Sequence, residues 1–182
     1  MKVKSSIALI GFMGTGKTSV GRALAEYLGK TFFELDVLIQ RKAGKDIPSI
    51  FRVDGEIAFR ELEIETVKDI SKEENAVIAC GGGVVLNKIN IDRLKQKALV
   101  VHLEASPRII LKRTSGDSEE RPLLATENPA NTIRELMRYR RPFYRKAADI
   151  AVNTSGLDIH SVVLQIVARI KEYEGIAGKK QA

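Results

Sequence analysis

The sequence predicts an α/β protein built around a parallel sheet, and three observations carry that prediction. Five short runs are apolar along most of their length, segments with helical spacing separate them, and a glycine-rich loop follows the first run. Strands apolar on both faces need cover on both faces, and a helix between consecutive strands is the connection a parallel pair requires.

The first strand is read from SSIALI, residues 5 to 10, which ends at Gly11. Lys17 to Leu28 then carries Val20, Leu24, Ala25 and Leu28 at helical spacing before a stop at Gly29. TFFELD (31 to 36), AVIAC (76 to 80), ALVVHLE (98 to 104) and DIAVNT (149 to 154) supply the other four strands. Residues 37 to 73 hold more helix than one crossover needs, which predicts a small helical insertion between the second and third strands. Ser106-Pro107 caps the next helix. Asn128-Pro129 starts another, running to Ala147, which Pro142 should kink or divide. Asp158 precedes the last helix and Gly175 is expected to end it. Between helices, TSGDSEERPLLATEN (114 to 128) is polar and charged and is expected to be a mobile surface segment, a lid.

The 182 residues suit one domain, taken as 1–174, with 175–182 as a disordered tail. Hydrophobic residues make up 44% and charged residues 29%, an ordinary globular balance. No apolar run is long enough for a membrane span, and Met-Lys-Val-Lys leads into the first strand without a cleavage-like signal, so no membrane and a cytoplasmic location are expected. Cys80 is the one cysteine, and the two histidines, His102 and His160, lie far apart, so neither a disulfide nor a metal-ligand spacing is present. The net charge of +7 suits an anionic partner. The basic residues are scattered and aromatic residues are scarce, which argues against nucleic acid and for a small anion.

Gly11-x-x-x-x-Gly16-Lys17-Thr18 matches the phosphate-loop pattern and sits between a strand and a helix, where the mechanism requires it. Bare backbone lets successive N–H groups meet phosphate oxygens, and the helix N-terminus adds positive charge. Gly11, Gly14, Thr15, Gly16, Lys17, Thr18 and Ser19 are the candidate nucleotide-binding residues; Lys17 would reach the β and γ phosphates, and the Thr18 hydroxyl would bind Mg²⁺. A dinucleotide-binding reading fits less well: Gly14-x-Gly16 begins its fingerprint and Asp36 lies at the right distance, but position 19 is serine where the third glycine belongs.

Glu34 and Asp36 alternate at a strand's carboxyl end and are expected to share a face. Two readings stand: a capping acid beside a solvated one, or a pair next to the phosphates, with one acid holding magnesium through water and the other facing an acceptor hydroxyl. Gly81-Gly82-Gly83 closes the third strand, either as a plain flexible turn or as bare backbone that a substrate can approach. Cys80 reads as a small buried residue, since no partner for a nucleophile is visible. Arg60 and Glu63 are three apart on a predicted helix and can meet, and Arg113, Arg121, Arg138, Arg140 and Arg141 gather around the 114–128 segment. Arginine's planar fork suits carboxylate and transferring phosphate.

Taken together, GFMGTGKT, ELD, FRELE, CGGG, RPLL and RYRRPFY stand in the order and approximate spacing of shikimate kinase, and the chain resembles that family to about residue 173. The resemblance implies a three-layer P-loop kinase fold with strand order 2-3-1-4-5, a helical substrate-binding insertion (37–73) and a lid. It implies ATP-dependent phosphorylation of the shikimate 3-hydroxyl, giving shikimate 3-phosphate and ADP on the way to aromatic amino acids. By the same resemblance Asp36 meets the acceptor hydroxyl, Arg60 and Arg140 bind the substrate carboxylate, and Gly81, Gly82 and Gly83 border shikimate. Glu63 would orient Arg60, Arg121 would contact the phosphates from the lid, and Arg113 would stack on adenine. The catalytic set is then Lys17, Asp36 and Arg121, with Mg²⁺ on Thr18 and, through water, Glu34. This chain departs from the pattern that the resemblance implies at two positions, with Glu34 where the family commonly has Asp and Cys80 where it commonly has threonine or serine. A monomer is expected. The alternatives are a kinase for another small hydroxy acid such as gluconate or for a nucleoside monophosphate, a nucleotide-binding regulator, and a basic nucleic-acid-binding module.

Overall fold

The computed structural model describes residues 4–115, 122–124 and 126–179. Five parallel strands form one sheet in the order β2-β3-β1-β4-β5: β1 (Ser6–Ile10), β2 (Thr31–Glu34), β3 (Ala76–Ala79), β4 (Ala98–Glu104) and β5 (Ile150–Asn153). This is the fold class and strand order expected from the sequence.

The two faces of β1 show why the sheet is covered on both sides. Ala8 and Ile10 enter one core with Ile78 and Val100, packed under α2 (Leu35–Ala43), α4 (Gly55–Ile70), α5 (Lys88–Lys97) and α7 (Pro129–Ala147). Ile7 and Leu9 enter the other with Val77, Val101 and Val152, beneath α1 (Lys17–Leu28) and α8 (Ile159–Lys179). Successive side chains of a strand point to opposite faces, so one short run serves both cores. A smaller cluster joins Phe12 and Ala105 to Ile110 of α6 (Pro107–Ser115) and Ile133 of α7. Gly21 lets α1 lie close to β2, since a methyl group there would stand 2.7 Å from Phe32.

Between β2 and β3 the chain forms α2, the three-residue turn α3 (Ile47–Ser49), a π-helical stretch (Ile50–Asp54) and α4. Several end signals act as expected. Gly29 closes α1 in the left-handed region, and Asn128 accepts from the Asn131 N–H while Pro129 opens α7. The Asp158 carboxylate accepts from the Ser161 N–H at the start of α8.

Three expectations are corrected. β2 stops at Glu34, not at residue 36: fully buried Leu35 opens α2, and Asp36 lies in the first helical turn, where a carboxylate suits the positive end of the helix. α7 runs undivided through Pro142; burial of Arg140, Tyr144 and Ala147 on its inner side holds both halves although the proline lacks an N–H. α8 does not stop at Gly175 but continues to Lys179, so that stretch is helical where a disordered tail was expected. An interior glycine costs about 1 kcal/mol relative to alanine, too little to end a helix anchored by Val162, Val163 and Ile166. Of the 114–128 segment, Thr114 and Ser115 finish α6 and Pro122–Leu124 form a 3₁₀ turn. Residues 116–121, including Arg121, and 125 lie outside the described residues. No helix among the described residues is long and apolar enough to cross a membrane.

Candidate active site

Strand order reverses between β1 and β3, so the connections leaving their carboxyl ends diverge and open a crevice. The loop after β1 and the glycines after β3 both line a cleft of about 750 Å³ at that edge. Gly14, Gly16, Lys17, Thr18 and Ser19 face it from the loop, Glu34 and Asp36 from the end of β2 and the start of α2, Arg60 and Glu63 from α4, and Arg113 and Arg140 from α6 and α7. Alternation was the wrong reason to place Glu34 and Asp36 together, but both line the cleft.

The glycine-rich loop is held by its own backbone. Thr15 donates its hydroxyl (2.8 Å) and its N–H (3.3 Å) to the Phe12 carbonyl, and Lys17 Nζ donates to the same oxygen at 3.0 Å. Gly11 and Thr15 are not among the cleft walls. A methyl group at Gly11, whose φ is +151°, would lie 2.4 Å from the Leu103 carbonyl oxygen, so this glycine lets the loop pass β4. Gly16 precedes α1 at φ 92° with no side-chain cap, which leaves the first turn's N–H groups facing the cleft as an anion site.

Around this loop the polar groups fall into two sets. On the nucleotide side, Thr18 donates to Glu34 Oε1 at 2.7 Å, and Arg22 donates to Glu34 Oε2 at 3.2 Å. Arg113 donates to the Gly14 carbonyl (3.1 Å) and to Thr154 Oγ1 and its carbonyl (3.2 and 3.1 Å), tying the loop to the end of β5. On the other side, Arg60 donates to Glu63 and Glu56 on its own helix. Arg140 is 3% exposed, donates to the Gly82 carbonyl at 3.4 Å and lies over the Phe12 ring; its buried Nε has no hydrogen-bond partner among the described residues. Tyr144 donates its hydroxyl to that same Gly82 oxygen. A side chain at Gly81 would press on Asp36 Oδ1 at 2.8 Å, and one at Gly83 would collide with the Arg60 guanidinium at 2.3 Å.

Electrostatics separate groups that stay neutral from those that carry charge. Burial raises the Cys80 thiol to about 12, which removes it as a nucleophile at neutral pH. Burial likewise raises the Glu63 carboxyl to about 7; Arg60 and Arg140 oppose that rise and Asp36 adds to it.

Four contributors were not anticipated. Glu56 stands one turn before Arg60, and Tyr144 one turn after Arg140, so helical spacing carried a signal for both. Arg22 and Thr154 had none, because their partners lie on other elements.

A model of the shikimate kinase family matches residues 13–171. The protein named shikimate kinase from Thermodesulfovibrio yellowstonii is 44% identical over 175 residues, covering 96% of this chain and 98% of that one. The structure of shikimate kinase from Acinetobacter baumannii in complex with shikimate matches with a TM-score of 0.89 at 37% identity, covering 94% of this chain and 95% of the other. Shikimate kinase from Aquifex aeolicus matches with a TM-score of 0.79, also at 37% identity, with coverages of 91% and 96%.

Proposed function

We propose, because the chain belongs to the shikimate kinase family, that it transfers the γ-phosphoryl group of ATP to the 3-hydroxyl of shikimate, yielding shikimate 3-phosphate and ADP. The observation that carries the choice of acceptor is the pair Arg60 and Arg140. Both guanidinium groups stand beside the Gly82–Gly83 backbone, and Asp36 stands against Gly81, all in the cleft that the phosphate loop opens into. Two planar forks suit a carboxylate and a carboxylate side chain suits a hydroxyl, so the arrangement matches a small hydroxy acid.

In this reading ATP lays its phosphates along Gly14 to Ser19, where the first-turn N–H groups of α1 and the Lys17 ammonium stabilise their charge. Arg113 braces the loop through the Gly14 carbonyl and borders the adenine. Asp36 orients the acceptor hydroxyl in line with the γ-phosphorus and takes its proton as the new P–O bond forms and the bond to ADP breaks. Phosphoryl transfer is loose, so positioning and electrostatics lower most of the barrier and an early strong base is unnecessary. Arg121 is the further cation assigned to the phosphates.

Magnesium suits the residues present. It takes one or two protein oxygens and leaves its other positions to water and phosphate, and Thr18 and Glu34 already meet at 2.7 Å. Thr18 would hold the ion directly and Glu34 through water; bound there, it supplies Lewis-acid neutralisation of phosphate charge. A monomer is the working unit in this reading.

The test is ATP-dependent ADP release with Mg²⁺, comparing shikimate, quinate, gluconate and nucleoside monophosphates, with Lys17→Ala as control. Release with shikimate alone, lost in the variant, is the expected result. Release with another acceptor keeps the phosphate-loop argument and overturns the acceptor, and nucleotide binding without release to any acceptor favours a regulator.

A further inference from the structure

A second cavity, of about 470 Å³, lies between the carboxyl end of β4, the start of α6 and one face of α7, and it shares no wall residue with the active-site cleft. Arg134, Arg138 and Arg141 line it, four and three residues apart, so a single helix face brings three guanidinium groups to one place. Among the described residues these side chains form no ion pair, and Glu104 is the only acid on the cavity wall. Three positive charges against one negative leave the cavity basic.

Its interior is different in kind. Met137 and the His102 ring, stacked on Tyr144 with centroids 4.8 Å apart, make a flat and largely apolar wall. His102 is 6% exposed, and its Nδ1, 3.4 Å from Glu104 Oε1, has no hydrogen-bond partner among the described residues. Burial, with Lys17 adding to it, lowers this imidazole to about 4, so at neutral pH it is an uncharged polar ring. Solvated arginines on a helix are ordinary. A buried polar ring atom left unpartnered beside them is not, since buried polar groups are nearly always hydrogen-bonded.

We propose that this cavity is a second ligand site, for a small organic anion whose carboxylate or phosphate is held by the Arg134, Arg138 and Arg141 forks while its apolar or aromatic body lies against Met137 and the His102–Tyr144 stack. Guanidinium groups supply the charge-assisted hydrogen bonds for the head, and the ring wall supplies the area for the body. The proposal does not rest on the phosphotransfer reading, although Phe12 and Thr15 of the loop and Tyr144 also line this cavity.

The chain has two histidines, which makes imidazole NMR a direct probe. His160 is exposed on α8 and reports non-specific effects; His160→Gln assigns the two signals. Benzoate and phenyl phosphate are titrated separately into ¹⁵N-labelled full-length protein with saturating ADP on the phosphate loop, and again into Arg60→Ala, which removes one fork of the main cleft. At least one probe is expected to give a saturable shift of the His102 resonances, unchanged in Arg60→Ala and weakened at least about tenfold in Arg138→Gln/Arg141→Gln. Saturation by benzoate alone assigns a carboxylate, and by phenyl phosphate alone a phosphate. No saturable shift with either probe, a shift that survives in the double variant, or one lost in Arg60→Ala overturns the proposal.

Discussion

Arg60 donates from Nη1 to both carboxylate oxygens of Glu63 at 3.2 Å, while its Nε and Nη2 donate to Glu56 at 3.2 and 3.0 Å, so the guanidinium is held from both sides along α4. The two acids are not equivalent: the Glu56 side chain is half-exposed and that of Glu63 is 1% exposed. Burial raises Glu63 to about 7 from its ordinary 4.5, against the pull of Arg60 and Arg140. Between those two pH values the folded protein keeps a proton that the unfolded chain has released. The resulting stabilisation is present at low pH and lost as pH rises through about 7. Glu63→Gln, permanently neutral, should therefore gain stability over the parent between pH 5 and pH 8, by at most about 3 kcal/mol. Urea melts at the two pH values check this, and a difference that stays flat or reverses contradicts it. The same variant loosens one side of Arg60, so the acceptor KM should rise while the ATP KM holds.

Lys17 and Asp36 should separate function from folding. Lys17 opens α1 and is tethered to Phe12 of the loop, Asp36 lies in the first turn of α2 at the cleft, and neither belongs to an apolar core. Lys17→Ala and Asp36→Asn are each expected to lower kcat by roughly a hundredfold or more, the scale of losing one electrostatic or positioning group, with unchanged circular dichroism and thermal midpoint. Turnover within a few-fold of the parent for either variant would remove it from the mechanism.

How these residues come together was only partly legible beforehand. β1 and α1 could be read because an apolar run that ends in glycines leaves few choices, and the observed bounds of α1 are the expected ones. Glu34-Leu35-Asp36 misled, since polar-apolar-polar alternation imitates a strand. Leu35 is instead the buried first residue of a helix, and a turn of helix carries Asp36 to the same cleft that alternation would have. α7 shows the opposite limit. Its arginines look alike in RYRR, and periodicity cannot choose between them; Arg140 is the buried one because its inner face meets Gly82 and Phe12, which arrive from distant parts of the chain. Gly21 carried no signal either, because its need for space comes from Phe32 on the neighbouring strand.

The three glycines after β3 should prove unequal. A methyl group at Gly83 would stand 2.3 and 2.7 Å from the two Arg60 terminal nitrogens, and one at Gly81 2.8 Å from Asp36 Oδ1. Gly83→Ala is thus expected to displace the carboxylate-binding fork and raise the acceptor KM at least about tenfold, with kcat little changed. Gly81→Ala should displace the hydroxyl-orienting acid and fall mainly on kcat. Steady-state kinetics with the acceptor varied at saturating ATP resolves the two patterns, and identical effects from both variants would defeat the assignment of separate tasks to Arg60 and Asp36.

Acid stability should depend on a cluster away from the cleft. Asp149, just before β5, accepts from the Val100 N–H at 2.9 Å and pairs with Lys4 (3.0 Å) and Lys95 (3.2 Å). Burial by itself would raise this carboxyl, but the hydrogen bonds and two ammonium groups outweigh it and hold the group below its ordinary 3.8. A depressed carboxylate contributes stability that is present above the unfolded value and is lost as pH falls through the folded one. Asp149→Asn should accordingly cost about 1 to 3 kcal/mol at pH 7, the range for losing charged hydrogen bonds at a partly buried site, and the difference should shrink below about pH 4 as the parent's own carboxylate protonates. Thermal melts from pH 7 to pH 3 measure it. If the variant remained equally destabilised at pH 3, the loss would come from packing or altered geometry and not from the charge that ties β4 to the N-terminal segment and α5.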